Sequence, residues 1–153
     1  MPTQRKPGVG IPHVYDFFGA EEVIPETAEV SARIAAAGDR TREIIKAALD
    51  PTTPSLRCMA AIDTVISIMG SEAGNLALKV LATGGIYVTG GIPLHILPAL
   101  RGPRFLQSFR RKGRFSELMD RIPVHLIVSH VGLTGAAAFG LRANERKMES
   151  PVS

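Results

Sequence analysis

Gly84-Gly85-Ile86-Tyr87-Val88-Thr89-Gly90-Gly91 is the segment whose residue types best suit contact with a ligand. Ile86, Tyr87 and Val88 are strand formers, and glycines bracket them on both sides. Gly90 and Gly91 permit a turn at φ values other residues avoid, and leave no side chain between the backbone and a neighbour. A short strand that ends in paired glycines before a helix is a place where α/β folds admit a phosphate or a nucleoside. The same residues also make a plain strand-to-helix turn, and both readings stand at this level.

Other chemistries find less support. Cys58 is the single cysteine, in an apolar stretch with Met59 and Ala60, which reads as a small core residue. His13, His95, His125 and His130 are scattered, and no H-E-x-x-H or C-x-x-C occurs, so no metal site is expected. There is no G-x-S-x-G elbow and no G-x-x-x-x-G-K-[ST] loop, which disfavours a serine hydrolase and a P-loop nucleotidase. Arg101, Arg104, Arg110, Arg111, Lys112, Arg114 and Arg121 form a basic run interleaved with Phe105, Phe109 and Phe115. Nucleic acid binds such patterns. Yet Phe105, Leu106 and Phe109 fall at helical spacing toward a core, which leaves the arginines as a solvated face, nucleic acid as a poor fit, and an anion or phosphate contact as a somewhat better one.

The elements that position the glycine segment come mostly from helical periodicity. Residues 14–18 open a helix or dock against one. A helix over 27–37 ends at Gly38, and Asp39 caps a second through Leu49 with Ile44, Ile45 and Ala48 on its apolar face. Asp50-Pro51-Thr52-Thr53-Pro54 breaks the chain. From a Ser55 cap, residues 55–82 form one long helix whose stripe is Ile62, Val65, Ile66, Met69, Ala73, Leu76, Ala77 and Val80. Ile68, Leu78 and Leu81 widen the stripe, so burial on most sides is expected. Gly70 and Gly74 each cost about 1 kcal/mol of helix propensity, which another backbone close to that face would offset. Asn75 reads as a buried amide held by a neighbouring loop, or as a ligand contact. Short helices follow over 94–100 and 103–112, with a further turn over 115–119. Residues 124–128 (Val-His-Leu-Ile-Val) make a second buried strand, and residues 132–141 a Gly/Ala-rich helix.

Helix, strand, helices, strand, helix is an α/β order, and two strands are too few for a self-sufficient sheet. The expected fold is therefore helix-rich α/β with a small incomplete sheet, part of a larger fold. With 153 residues and 45% hydrophobic content, the chain suits one compact unit. Aromatics make up only 5%, so Ala, Ile, Leu and Val must carry the core. Net charge is +4, with a pI near 9.6. No apolar run approaches the roughly 20 residues that span a bilayer. No signal core follows the basic N-terminus, and the lone thiol suits a reducing compartment, so the expectation is cytoplasmic.

Several of these segments resemble the bacterial ATP-dependent glucokinase family. Residues 69–78 carry Gly74-Asn75-Leu76-Ala77-Leu78, similar to the Gly-Asn-Leu-Ala-Leu signature of that family's buried helix. Residues 84–92 resemble its nucleotide-side strand and turn. Lys112-Gly113-Arg114-Phe115 and Ile122-Pro123-Val124 continue in order, and residues 132–137 look like its C-terminal helix. Gly10-Ile11-Pro12-His13-Val14-Tyr15 is similar to an earlier family segment. The resemblance covers roughly residues 8–142, between an irregular tail over 1–7 and a flexible tail over 143–153. It implies part of the large lobe of an actin-like (ribonuclease H-like) sugar kinase, with ATP, Mg2+ and glucose as the complete enzyme's reactants in glycolysis. It also implies nucleotide contact at Gly90, Gly91 and Ile92. The family's catalytic aspartate, sugar ligands and first phosphate loop precede the segment matched by residues 10–15. No catalytic, sugar-binding or metal residue is thus assigned here, and the chain is expected to be inactive alone. Without the N-terminal lobe, apolar surface around residues 14–18 and 132–141 would favour self-association. A smaller departure is Ser129-His130, where the family often has an Asn-containing loop. The alternatives are a non-catalytic nucleotide- or partner-binding module, and an unrelated basic α/β binding protein.

Overall fold

The computed structural model describes residues 10–21, 24–129 and 131–149. The expected 1–7 tail, His130 and residues 150–153 of the expected C-terminal tail lie outside the described residues.

The fold is built on one helix. α1 (Gly10–Ala20), α2 (Ala28–Ala36) and α3 (Arg40–Ala48) lead to α4 (Leu56–Val80), 25 residues long. α1 and α3 pack on α4 from one side. α3 and α4 start at the caps their sequence announces, Asp39 and Ser55, and Thr27, expected inside its helix, caps α2. Thr27 accepts from the Val30 N–H, Asp39 from Arg42 and Ser55 from Cys58. Between α3 and α4, one Asp50 oxygen accepts from the N–H groups of Thr52 and Thr53 at 2.8 and 2.9 Å, closing the proline-flanked turn. Those bonds favour the ionised carboxyl and hold Asp50 below its ordinary pKa. Leu81 ends α4 in the left-handed conformation.

β1 (Ile86–Val88) follows, then α5 (Gly91–His95), α6 (Leu97–Leu100) and α7 (Arg104–Arg110). The single helix expected over 94–100 is divided in two. Pro98, at the start of α6, has no N–H to give the Leu94 carbonyl, so the helix restarts there. A 3₁₀ turn at Gly113–Phe115 and α8 (Ser116–Asp120) lead to β2 (Val124–Leu126) and α9 (Val131–Glu149). β1 and β2 pair in parallel, with Ile86 opposite Val124, Tyr87 opposite His125 and Val88 opposite Leu126.

The expected close backbone approach to α4 is α7. A Cβ on Gly70 would run into the Phe105 carbonyl oxygen, and one on Gly74 would lie 2.5 Å from that of Phe109. Phe105 and Phe109 are buried at this seam, with rings stacked 6.4 Å apart. Leu106, expected beside them, is exposed, because one residue along a helix turns it about 100° off their face. The core joins Ile11, Ile34, Ile44, Ile62, Ile66, Phe109 and Met119 around α4. Cys58 is fully buried, and burial pushes its thiol up to about 11.

Two burial expectations need correction. α4 is not covered on most sides: Ile68 and Leu76 are each 53% exposed, and Val80 and Leu81 are exposed too. The neighbours α1, α3 and α7 leave the C-terminal half of that face bare. The strands are half-buried rather than buried. Tyr87 is 63% exposed and stacks on His125 at 4.9 Å, because no described element covers that face of the sheet. The side chains of residues 134–142 in α9 are equally bare, with Phe139 78% exposed. Within residues 14–18, which belong to α1, Tyr15 is buried and Val14 and Phe18 are half-buried, while Asp16 and Phe17 are exposed.

Candidate functional site

Gly90 closes β1 at φ +123° and ψ 175°, a region essentially reserved for glycine. The chain turns there into α5. At Gly91 the conformation is unremarkable, and a Cβ would meet nothing within 4 Å. The space in front of Gly91 is open, as a ligand's approach requires. Ile92 is half-buried and joins the core with Ile96 behind it.

That open space is a cavity of about 170 Å³ lined by Asp39, Thr41, Arg42, Ile45, Gly91, Ile92 and His95. Ile45 and Ile92 supply apolar wall. Asp39, Thr41 and Arg42 come from the start of α3, where one Asp39 oxygen already accepts from the Arg42 N–H at 3.0 Å. His95 Nδ1 lies 2.7 Å from the Gly91 carbonyl oxygen. A carbonyl can only accept, so Nδ1 is the donor and Nε2 remains for another partner. α5 is too short to offer an anion a useful dipole, and a carboxylate stands on one wall. The cavity's chemistry therefore favours a flat, hydroxyl- or amine-bearing group over a bare phosphate.

Gly91 and Ile92 line this cavity, and Gly90 sets the turn that brings them there. The sequence reading of the α3 residues saw only a helix cap at Asp39. Its place beside Gly91, some fifty positions on, has no local signature; only the packing of α3 along α4 brings the two together.

A second polar group joins α4 to the chain just after α7. Lys112 Nζ donates to the Ser71 carbonyl at 2.8 Å, to Ser71 Oγ at 3.2 Å and to Asn75 Oδ1 at 2.7 Å. Asn75 Nδ2 donates to Glu72 at 3.1 Å. Asn75 is thus exposed rather than buried, and its partner is a lysine beyond α7. The set ties the end of α7 to α4 where Gly74 brings them closest.

Among the described residues, no group of three or more His, Cys, Asp or Glu is gathered to hold a metal, and no helix is long and apolar enough to cross a membrane.

Comparison with known proteins agrees with the motifs. Residues 6–143 match the family described as Glucokinase. A glucokinase of Nostoc sp. (strain PCC 7120) is 34% identical over 145 residues, covering 88% of this chain and 42% of that protein. One from Synechocystis sp. (strain PCC 6803) is 36% identical over 142 residues, covering 85% and 39%. One from Trichormus variabilis is 49% identical over 78 residues, covering 50% and 23%. The chain thus spans about two fifths or less of the length of these curated relatives. With the match running nearly end to end through the α4 helix, the glycine turn and the second strand, this chain belongs to the glucokinase family.

Proposed function

We propose that this chain is the nucleotide-side portion of a cytoplasmic glucokinase, within the large lobe of an actin-like sugar kinase. In the complete enzyme the reaction is transfer of the ATP γ-phosphoryl group to glucose, giving ADP and glucose 6-phosphate. The observation that carries the reading is the glycine turn at Gly90-Gly91 opening onto the cavity shared with α3. At about 170 Å³ the cavity is smaller than the few hundred Å³ of a whole-ligand pocket. It suits a base or ribose, with Ile45 and Ile92 against the ring and Asp39, Thr41 and His95 offering polar partners. The triphosphate and its magnesium would extend toward residues outside this segment.

The bare surfaces support the same reading. Parallel sheets are normally covered on both faces and contain more than two strands. Here a two-stranded parallel pair leaves Tyr87 and His125 uncovered. Phosphoryl transfer needs a base, a held metal and cradled phosphates. None is assigned among these residues, so on this reading the chain alone does not phosphorylate glucose. The second reading, a non-catalytic module that binds a nucleotide or a partner, is favoured by the uncovered apolar residues Ile68, Leu76 and Val80 of α4.

Photolabelling with an azido-adenine analogue of ATP tests the site. Label should fall in peptides containing residues 39–45 or 91–95, and excess ATP should suppress it. Protected label elsewhere, or no ATP protection, would overturn the assignment.

A further inference from the structure

The seam between α4 and α7 carries a second cavity, unrelated to the glycine turn. Its volume is about 320 Å³, and its lining includes Asp63, Ser67, Ser71, Arg104, Ser108 and Arg111. The geometry follows from the seam itself. Gly70 and Gly74 let the two backbones touch, and beside that contact each helix presents small side chains: Ser67 and Ser71 from α4, Ser108 from α7. Small residues flanking a close contact leave a groove rather than a filled interface.

The groove is rich in donors. Arg104, the first residue of α7, and Arg111, its C-cap, both line it. Arg104 is paired with Asp63 at 2.9 Å, and Arg111 has no ion-pair partner among the described residues. Lys112, next in sequence, reaches Ser71 Oγ on the same wall. The decisive residue is Ser108. It is only 9% exposed, it lines the groove, and its hydroxyl makes no hydrogen bond among the described residues. Among the described residues, the buried polar atoms without a partner do not include this hydroxyl, so it is open to the groove, where water or a ligand meets it. Ser67 likewise has no side-chain partner among the described residues.

We propose that this groove is a binding site for a phosphate dianion, either free or as the phosphoryl group of a small phosphomonoester. Guanidinium groups recognise phosphate oxygens through paired N–H donors, and hydroxyls from both helices meet the remaining oxygens. The one acidic side chain in the groove, Asp63, is occupied by Arg104. The site shares no lining residue with the cavity at Gly91, so it stands or falls independently of the functional reading above.

The test is 31P NMR titration of the 153-residue chain with inorganic phosphate and, separately, with glucose 6-phosphate. Both should bind, and rising NaCl should weaken them. Tighter binding of the sugar phosphate would identify a phosphomonoester site, and equal binding a free-phosphate site. Arg111→Gln should weaken binding by about tenfold, the worth of one charge-assisted hydrogen bond at a partly exposed site. Ser108→Ala should weaken it less, with circular dichroism unchanged in both. Arg121→Gln, outside the groove, should bind as the parent does. Absence of phosphate binding, equal affinity in parent and Arg111→Gln, or a loss confined to Arg42→Gln at the other cavity would overturn the proposal.

Discussion

Replacing Gly74 with alanine isolates the contact on which this fold turns. In a free helix the change would stabilise by about 1 kcal/mol, because glycine is the poorer helix former. Here the new Cβ would lie 2.5 Å from the Phe109 carbonyl oxygen and 2.6 Å from Lys112 Cε. The lysine stem can swing aside, but the carbonyl belongs to α7. To restore ordinary contact α7 must retreat by about 0.5–0.9 Å, which loosens the close-packed Phe105 and Phe109. Overpacking of this kind costs about 1–3 kcal/mol, occasionally more. The retreat also stretches the bonds from Lys112 to Ser71 and Asn75. Net of the propensity gain, Gly74→Ala should destabilise the chain by about 1–2 kcal/mol. With a urea m-value of about 1–3 kcal/mol/M, that lowers the midpoint by about 0.3–2 M. Gly70→Ala should behave alike, since all its nearest contacts are backbone atoms of Phe105. Gly84→Ala, where a Cβ meets nothing within 4 Å, is the control and should be near neutral. Urea unfolding followed by circular dichroism reads all three. A stabilised Gly74→Ala, or equal losses at Gly74 and Gly84, would refute the argument.

Further outcomes follow from other parts of the molecule. Gly90→Ala forces a side chain into a glycine-only conformation and should cost about 1–3 kcal/mol, measurable by thermal melting. Lys112→Met removes three bonds from an ammonium group and should cost about 1.5–3 kcal/mol by the same melt. Cys58, raised from 9.0 to about 11, favours the folded state while neutral; that stability is intact below pH 9 and lost as pH rises from about 9 to about 11. Urea midpoints across that window should fall in the parent and fall less in Cys58→Ala. In a coupled assay with Mg-ATP, the chain alone should release no ADP that depends on glucose; release above a no-glucose control would contradict the proposed division of labour.

Much of this was legible in the sequence because it was local. Asp39 and Ser55 announce their helices by caps, and the α4 stripe is long enough for periodicity to be unambiguous. Gly70 and Gly74 told of a close neighbour because their cost within a helix needs an offset. Burial was harder, since periodicity gives a residue's face and not what covers it. Ile68 and Leu76 read as core, yet none of α1, α3 or α7 covers them. Asn75 read as buried, because its partner Lys112 lies 37 positions away on a loop whose path no short pattern encodes. The cavity at Gly91 was half visible: the glycines stand out by composition, while Asp39, Thr41 and Arg42 reach it only through the packing of α3.

The central claim is that Gly91 faces a nucleotide. Calorimetric titration of the 153-residue chain with Mg-ATP, parent beside Gly91→Val, tests it most directly. The valine enters open space and needs no unusual φ, so the fold should persist while its branches fill the cavity. The account predicts that the parent binds Mg-ATP and that Gly91→Val binds at least about tenfold more weakly, about 1.4 kcal/mol. Equal affinity in the two proteins, or no binding by the parent, would contradict it.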